Sequence, residues 1–396
     1  MTVGRLMAIV FIFGCVAVAW MVLGTSVQVR TDAGRTDIGQ QVQGLWGGPQ
    51  TQSAPQVYLT KTGATGRGVY WELDSSQIKA ALGLQHRQKG LLWYSTYDVD
   101  FDALYTFHNP TDAAQQVNVE LSLPSATGIY DNFVFTVKDK NIMPSGDLTR
   151  GLVTAVGLAP GEEATIRVAY RSRGLDRWVY RFGEGVANVK KFDLVVDTDF
   201  KDINFPARTI SASTKTENPQ GWRLQWHFEN LVAGAEVGVE MPKKLNPGPL
   251  AARISFFAPI SLFFFFTVLV VLGAVTGVNL HPMHYFFLGA AFFAFHLLFA
   301  YLADQVPLAL AFPISAAVSL ALVITYLGRV VNWRFAWREA GLSQFFFLVL
   351  FSYAFFFEGY TGLAVTIGSI ATLAVLMQVT AKVDWKEVFS RKSPGA

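Results

Sequence analysis

The chain has 396 residues, of which 52% are hydrophobic and only 15% are charged. Soluble domains carry more charge, about 25% of residues, and here the apolar residues concentrate in an N-terminal stretch and a long block, Ile254–Ala381. The net charge of +3 is too small to indicate a nucleic-acid-binding protein, and no segment has the composition of a basic arm. We therefore expect one soluble and one membrane domain, with the lipid bilayer and not nucleic acid as a partner.

The first predicted element is a spanning helix within residues 1–26. Leu6–Ser26 contains no charged residue, and a hydrocarbon core about 30 Å thick requires about 20 apolar helical residues. The apolar core of a signal peptide is shorter, about 7 to 15 residues, so we expect an uncleaved signal anchor. Ala17-Val18-Ala19 has the small-x-small pattern of a cleavage site, which leaves cleavage as the alternative.

Residues 27–252 are predicted to form a β-rich extracytoplasmic domain. Five segments show the alternation or the apolar run that is typical of strands: 117–123, 133–137, 165–170, 192–196 and 222–228. Turn-forming pairs separate them, at Asn109-Pro110, Pro160-Gly161, Arg173-Gly174 and Asn218-Pro219. Short strands at this spacing predict an antiparallel β-sandwich and not a parallel α/β sheet.

Three further expectations concern this domain. Ser75–Leu84 is predicted to be its one helix, with Asp74 as the N-cap. The domain is expected to divide into two halves, residues 57–183 and 188–241. The single cysteine, Cys15, excludes an intramolecular disulfide, so the domain depends on its hydrophobic core.

Residues 253–385 are predicted to form a five-helix transmembrane domain, followed by a cytoplasmic tail, residues 386–396. Each of its hydrophobic segments approaches or exceeds the length that spans a bilayer, and a helix satisfies its own backbone in lipid. The segments are Ile254–Thr276, Met283–Ala303, Pro307–Gly328, Leu342–Phe357 and Tyr360–Ala381.

The distribution of Lys and Arg predicts the orientation of these helices, because short cytoplasmic loops retain positive charge. The predicted loop Arg329–Ala340 carries three arginines, and the tail after Ala381 carries four basic residues. The loops at Asp304 and Glu358 carry neither Lys nor Arg. Both termini are therefore expected in the cytoplasm, with residues 27–252 on the other side.

The sequence offers few groups for catalysis. It lacks the Gly-x-Ser-x-Gly, phosphate-loop and His-Glu-x-x-His motifs. A run of alternating aspartates can share one strand face and either bind a cation or form a solvated strand edge. We favour the edge, and we predict no catalytic residue, no cofactor and no metal site. The alternating aspartates are Asp98, Asp100 and Asp102. The other candidate ligands in this domain are three scattered histidines, His86, His108 and His227.

Histidines in the membrane domain are the other candidates. His281 and His284 can share one helix face, but zinc requires three or four ligands, so we favour a helix start at Pro282. His296 lies well inside its predicted helix, where a charged side chain costs about 2–3 kcal/mol. It is either a proton or substrate relay or a neutral ring bonded to a Ser, Thr or Tyr of a neighbouring helix, and we favour the neutral ring.

A resemblance to a known family appears in the same region. The run Leu280-His281-Pro282-Met283-His284-Tyr285-Phe286-Phe287-Leu288-Gly289 closely resembles a motif of the CreD family of bacterial inner-membrane proteins. Three further runs resemble family landmarks in the same order: Leu310-Ala311-Phe312, Glu358-Gly359-Tyr360 and Val383-Asp384-Trp385. The resemblance covers mainly residues 254–386. His284 stands where the family has Gln, and the family's acidic residue in the second helix is absent.

The resemblance implies a place and a role more than a mechanism. CreD-like proteins are linked to envelope integrity, colicin tolerance and cell-wall stress, with no established reaction. We therefore expect a non-enzymatic inner-membrane protein whose periplasmic β domain binds an envelope protein or a cell-wall ligand. The alternative is a small transporter or a transporter accessory subunit that uses the helix bundle, since His296, Pro259 and Pro313 lie within it.

Overall fold

The computed structural model describes residues 3–60, 67–90, 92–125, 128–144, 151–278, 280–357 and 359–381. The chain divides into two compact units. The helical unit comprises Met1–Thr36, Gly90–Leu92 and Leu245–Ala396, and the β unit comprises Asp37–Lys89 and Trp93–Lys244.

Six helices in the described residues are long and apolar enough to cross a membrane. Each overlaps a hydrophobic segment predicted from the sequence. The helices are α1 (Val3–Trp46), α2 (Pro247–Thr276), α3 (Pro282–Leu302), α4 (Leu308–Val330), α5 (Trp333–Phe356) and α6 (Thr361–Thr380).

Helix α1 continues well past its predicted apolar segment, which ends at Ser26. Hydropathy marks where a helix can lie in lipid, but backbone geometry decides where it stops. Gly47 follows α1 with a φ of +82°, and its N–H donates to the carbonyl of Gln43 at 2.8 Å. Glycine adopts this left-handed conformation readily, which makes it a common helix terminator.

Helix α5 begins earlier than predicted, so the predicted loop Arg329–Ala340 is wrong. The side chain of Asn332 accepts a hydrogen bond from the N–H of Phe335 at 2.8 Å and caps the helix start. The hydropathy pattern did not predict the first turns of α5, because their arginines lower the mean hydropathy of the segment. The helix also contains two π-helical stretches, Ala336–Gly341 and Phe345–Leu350.

The described residues of the β unit form sixteen strands. They are β1 (Gln50–Ser53), β2 (Gln56–Thr60), β3 (Arg67–Trp71), β4 (Ser75–Lys89), β5 (Leu92–His108), β6 (Gln115–Leu121), β7 (Tyr130–Val137), β8 (Lys140–Asn141), β9 (Leu152–Leu158), β10 (Glu163–Leu175), β11 (Arg177–Arg181), β12 (Ala187–Thr198), β13 (Thr209–Ile210), β14 (Thr214–Glu217), β15 (Trp222–Ala233) and β16 (Glu236–Glu240).

These strands form three sheets with the orders β1-β11-β16-β13, β14-β15-β12-β4-β5-β10-β7-β8 and β3-β2-β6-β9. Most pairs are antiparallel, which confirms a β-rich, mostly antiparallel unit. Among the pairings of described residues, three are parallel: β1 with β11, β12 with β4, and β13 with β16. The predicted division into two halves is wrong, because β12 pairs with β4 along seven positions, from Phe192 opposite Ser76 to Thr198 opposite Leu82.

The helix predicted over Ser75–Leu84 is strand β4. Ile78, Ala80 and Leu82 are each only 2% exposed, whereas the residues between them face solvent. This period of two defines a strand. The residues of this segment favour helices, but the neighbouring strands of a large sheet override that preference. Asp74 does not cap a helix, since its carboxylate contacts His108 Nδ1 at 2.6 Å.

The turn predicted at Arg173-Gly174 lies inside strand β10. A Cβ at Gly174 would lie 2.3 Å from Cζ of Tyr97, so the glycine makes room for that ring. The Tyr97 hydroxyl donates to the carbonyl of Arg177 at 2.8 Å. This glycine therefore marks a close approach within the sheet and not a change of chain direction.

Aromatic residues from different sheets fill the core of the β unit. Its largest fully buried side chains include Trp178 and Tyr180 of β11, Trp226 of β15, and Phe101 of β5. Phe101 and Tyr170 stack with ring centroids 4.9 Å apart. Large buried rings contribute much apolar area per residue, and they stabilise a unit in which the described residues contain no cysteine.

Candidate functional site

The alternating aspartates lie on one face of β5, as predicted, but each contacts an arginine of β10. Because β5 lies inside the eight-stranded sheet, the predicted strand edge is wrong and this face is a solvent-exposed charge ladder. Exposed ion pairs of this kind contribute little to stability, because water screens both charges. The contacts are Asp98–Arg173 at 3.2 Å, Asp100–Arg171 at 2.9 Å and Asp102–Arg167 at 3.1 Å.

The three histidines of the β unit have separate partners. His108 Nδ1 contacts Asp74 at 2.6 Å, and His227 Nδ1 contacts Asp193 at 2.7 Å. The ring of His86 bonds the carbonyl of Pro242 at 2.9 Å. Within the described residues no group of three or more His, Cys, Asp or Glu side chains is arranged to hold a metal ion.

The hydrogen bond to Asp193 raises the pKa of His227 above its ordinary value of 6.5, with a smaller contribution from Glu229. Both carboxylates favour the protonated imidazole. His227 therefore carries positive charge over a wider pH range than a free histidine.

The family-like motif forms the start of α3. The Nδ1 atom of His281 accepts from the N–H of Met283 at 3.3 Å, and Pro282 occupies the first helical position, which it favours. The carbonyl of Leu280 accepts a hydrogen bond from the guanidinium of Arg5 in α1 at 3.1 Å. These residues join α1 to the α2–α3 connection.

Other motif residues pack α3 against its neighbours. Tyr285 is 4% exposed, and its ring meets that of Phe266 in α2 edge to face at 5.3 Å. A Cβ at Gly289 would lie 3.3 Å from Cγ1 of Val16 in α1, so the glycine allows close helix packing. These contacts show that residues of the motif pack α3 against α1 and α2.

His284 and His281 do not share a partner. The Nδ1 atom of His284 contacts the hydroxyl of Tyr326 in α4 at 2.8 Å. The two imidazole centroids are 6.4 Å apart and nearly perpendicular. Each ring is engaged in a local contact at one end of α3.

His296 is buried in the helical unit, 2% exposed. Its Nδ1 lies 3.1 Å from the carbonyl of Phe292, and since a carbonyl only accepts, this nitrogen carries the proton. The expected Ser, Thr or Tyr partner is therefore wrong. Aromatic rings surround the imidazole, including Trp20 at 5.5 Å and Phe295 at 4.9 Å between centroids.

Polar contacts that the sequence analysis did not single out also link the helices. Gln344 in α5 is fully buried and donates to the hydroxyl of Ser319 in α4 at 2.8 Å. That hydroxyl donates to the carbonyl of Ala291 in α3 at 2.7 Å. The sequence feature that could have predicted this contact is Gln344 itself, because a polar side chain within an apolar membrane helix usually faces another helix.

An ion pair connects the turn after α3 to α1. Arg30 Nη2 lies 2.9 Å from Asp304 Oδ2, and the guanidinium lies 5.3 Å from the ring centroid of Tyr301. At the other end of the bundle Arg5 contacts Leu280. Arg5 near the start of α1 and Arg30 farther along it are thus joined to opposite ends of α3.

The β unit contains a cavity of about 410 Å³. This volume falls in the range of about 300–1,000 Å³ that is typical of small-molecule sites. Strands of all three sheets contribute to it, and aromatic rings form much of its wall. Trp71 and Phe182 are each 8% exposed, whereas Tyr70 is 47% exposed.

Polar groups of β12 and of the segment after β3 meet at this cavity. Glu72 Oε2 lies 2.7 Å from the ammonium of Lys190. The Asn188 amide donates to both carboxylate oxygens of Glu72, at 3.1 and 3.3 Å. The hydrogen bond from Lys190, and secondly that from Asn188, lowers the pKa of Glu72 below its ordinary value of 4.5, so the group is a carboxylate at neutral pH.

Gln56 lines the same cavity. Its side-chain oxygen is buried and has no hydrogen-bond partner among the residues that the structure describes. A buried acceptor without a partner costs about 1–3 kcal/mol, and this oxygen has almost no solvent-accessible surface. Sequence reasoning missed this cavity because its residues come from separate strands and form no local motif.

The remaining residues of the predicted family motifs lie outside the cavity and the helix contacts described above. Tyr360 precedes α6 and is 68% exposed. Glu358, Asp384 and Trp385 lie outside the described residues, so their predicted family role stays a prediction.

Comparisons with known proteins add a distant structural similarity. A crystal structure of a Legionella pneumophila protein, provisionally described as nutrient binding, is 10% identical and has a TM-score of 0.36. The similarity covers 55% of this chain and 75% of the Legionella chain. No curated protein matches the chain in sequence.

A family model gives the more informative comparison. It matches a segment that runs from the end of β12 through all five C-terminal helices and includes the whole motif at the start of α3. The segment, residues 197–386, matches the family described as inner membrane protein CreD, which confirms the CreD resemblance for this part of an integral membrane protein.

Proposed function

We propose that this chain is a non-enzymatic envelope protein of the bacterial inner membrane, whose β unit binds an envelope component. The observation that carries the proposal is the aromatic and polar cavity of the β unit, about 410 Å³ in volume. Concave sites with apolar walls and a few convergent polar groups are the usual small-molecule sites of proteins. The CreD match of residues 197–386 supports the membrane setting.

The proposed topology has both termini in the cytoplasm and residues 27–252 in the periplasm. Arg329 lies at the end of α4, and Arg334 and Arg338 lie in the first turns of α5. Positive residues this close to helix ends favour the cytoplasmic side. The cavity then faces the periplasm, where envelope components are accessible.

The contacts of the charged residues support a binding role and not a catalytic one. The aspartates of β5 are paired with arginines, and His108 and His227 each contact a carboxylate. Catalysis requires a reactive group held near a base or acid and a place for the substrate. The groups at the cavity, Glu72, Lys190 and Asn188, are hydrogen-bonded to one another.

A strain that lacks this chain tests the envelope role. We expect it to differ from the parent strain in sensitivity to detergents or cell-wall antibiotics, and we expect the wild-type chain to restore the parental response. A variant with a bulky residue in the cavity, Ala187→Trp, should restore it less well at equal membrane abundance. Parental sensitivity of the deletion strain across the whole panel would contradict the role.

The alternative of a transporter depends mainly on His296. The ring is buried among aromatic residues and bonds the Phe292 carbonyl, an arrangement that supports packing. A flux assay in proteoliposomes remains its test. A substrate flux that the His296→Ala variant abolishes would favour transport over the proposal.

A further inference from the structure

Strand β12 is paired unequally along its two edges. On one edge it pairs with β15 from Ala187 to Asp197. On the other edge its parallel pairing with β4 begins only at Phe192, opposite Ser76. Among the pairings of described residues, Ala187–Lys190 therefore have a partner strand on one edge alone.

An irregularity in β12 separates this stretch from the rest of the strand. Lys191 has a φ of +40°, and positive values are uncommon outside glycine. Val189 is 8% exposed and Phe192 is 1% exposed, so buried residues that alternate in the later part of β12 are three positions apart here. Irregularities of this kind bend a strand and interrupt its pairing, which explains why the β4 pairing stops beside Lys191.

The cavity of the β unit lies against the unpaired edge. Its lining includes Ala187–Lys190 together with Glu72, Leu73 and Ser76, which belong to β4 and to the chain that leads into it. Among the described residues, none of β15 contributes to the lining. The cavity is therefore a split in the eight-stranded sheet, between the start of β12 and the segment that leads into β4.

Side chains connect the two sides of this split. The Asn188 amide and the Lys190 ammonium bond the carboxylate of Glu72 at 3.1 Å and 2.7 Å. These contacts use side chains, so the backbone of Ala187–Lys190 still forms no ladder with a described strand on this edge. The N–H and C=O groups of an unpaired strand edge are a template for another extended chain.

The two faces of this stretch determine which side chains such a chain needs. Val189 is buried, whereas Asn188 is exposed. Residues that lie opposite each other on neighbouring strands share a face of the sheet. An added strand therefore needs an apolar residue beside Val189 and a polar residue beside Asn188, which is an alternating sequence.

We propose that the split binds an extended peptide segment of another envelope protein, which adds a strand beside Ala187–Lys190. The inference rests on the proposed function of the β unit as a ligand-binding unit and names the ligand class. Four residues of a strand span about 13 Å, so a segment of about four to six residues fills the edge. Backbone hydrogen bonds supply the affinity, and the alternating side chains supply the specificity.

A peptide array screened with the full chain in lipid nanodiscs tests this assignment. The probes are acetylated and amidated hexapeptides in which Val, Leu or Phe alternates with Thr, Lys or Glu. Each has a matched peptide with the same residues in non-alternating order. We expect calorimetric titration of the strongest alternating peptide to give a Kd below about 1 mM. It should bind at least about tenfold more tightly than its match, in which polar residues meet the buried face.

Backbone methylation separates strand addition from recognition of side chains. Two versions of the strongest peptide carry N-methyl groups on the odd or on the even residues, so each lacks the N–H groups of one edge and keeps every side chain. At least one version should bind about tenfold or more weakly, as loss of backbone hydrogen bonds predicts.

One cavity variant and one control variant complete the test. Ala187→Trp places a large ring at the unpaired edge and should weaken peptide binding about tenfold or more. Ala81→Trp places the same ring at an exposed position of β4 that does not line the cavity, and it should bind as wild type does. Intrinsic fluorescence during thermal unfolding shows whether each variant is folded.

Three results would overturn the assignment: no alternating peptide that binds at about 1 mM, two methylated versions that bind as tightly as the parent peptide, or binding that Ala187→Trp leaves unchanged. Tighter binding of the disaccharide cellobiose than of every peptide would also overturn it. The envelope role fails separately, through a deletion strain with normal stress sensitivity.

Discussion

At the scale of single residues, His227 links the fold of the β unit to pH. Its hydrogen bond to Asp193 raises its pKa above 6.5, so the folded state binds the proton more tightly than the unfolded state does. The stabilisation is fully present below the unfolded pKa and is lost as pH rises through the folded pKa. We expect an NMR titration of the His227 imidazole to give a midpoint above 6.5.

The variant Asp193→Asn is the control for this prediction, because it keeps the hydrogen-bonding shape and removes the charge. Its His227 midpoint should fall toward 6.5, and the pH dependence of unfolding in that range should become weaker. A midpoint that is the same in both proteins would show that Asp193 does not perturb the imidazole. The contact is exposed, so its effect on overall stability should be small.

Single residues also show which contacts can be predicted from sequence. The shared face of Asp98, Asp100 and Asp102 followed from a period of two, and the structure confirms it. Their arginine partners on β10 lie 65, 71 and 75 residues away in sequence, and no local pattern specifies that register. The partner of His296 was mispredicted for a simpler reason: the ring bonds the carbonyl of Phe292, four residues earlier in its own helix.

At the scale of elements, strand β4 gives a prediction that separates strand from helix. In the strand, Ala80 is buried and Ala81 is exposed. In a helix with Ile78 and Leu82 on its buried face, Ala81 would lie near that face and Ala80 opposite it. Ala80→Asp should therefore destabilise the β unit by about 3–5 kcal/mol, the cost of an unpaired buried charge.

The matched substitution Ala81→Asp should change stability by less than about 0.5 kcal/mol, as exposed positions usually do. Chemical unfolding of the full chain in detergent, followed by tryptophan fluorescence, measures both. The reverse order of the two effects would contradict the strand. The comparison is strict because the two sites are adjacent and receive the same side chain.

Elements were predicted well where one period dominates and poorly where tertiary pairing decides. The strands around 117–123 and 165–170 alternate clearly and are β6 and β10. The segment of β4 contains good helix formers, and β12 beside it fixes its strand conformation. The start of α5 was missed because arginines lower hydropathy without preventing a helix.

At the scale of the molecule, the candidate cavity could not be predicted, since it exists only where strands of three sheets meet. The membrane domain could be predicted, since each helix is long and apolar within its own sequence. Two contacts in the helical unit show which parts of α1 lie next to the two ends of α3. Arg5 joins the start of α1 to Leu280, and Arg30 joins its later part to Asp304.

These contacts and the charge rule lead to a prediction of topology. The turn at Asp304 should share a side with residue 30, and the opposite end of α4, with its arginines, should be cytoplasmic. Cys15 is the single cysteine, so a Cys15→Ala background accepts one new thiol at a time. Exposed positions for it are Val186, Gln305 and Trp333.

A membrane-impermeant maleimide should label Val186→Cys and Gln305→Cys in cells with a permeable outer membrane and an intact inner one. Trp333→Cys should react only after the inner membrane is opened, because Gln305 and Trp333 flank the two ends of α4, which must cross about 30 Å of hydrocarbon. Labelling of Trp333→Cys alone in intact cells would reverse the orientation and place the cavity in the cytoplasm. Labelling of both flanks from one side would show that α4 does not span the bilayer.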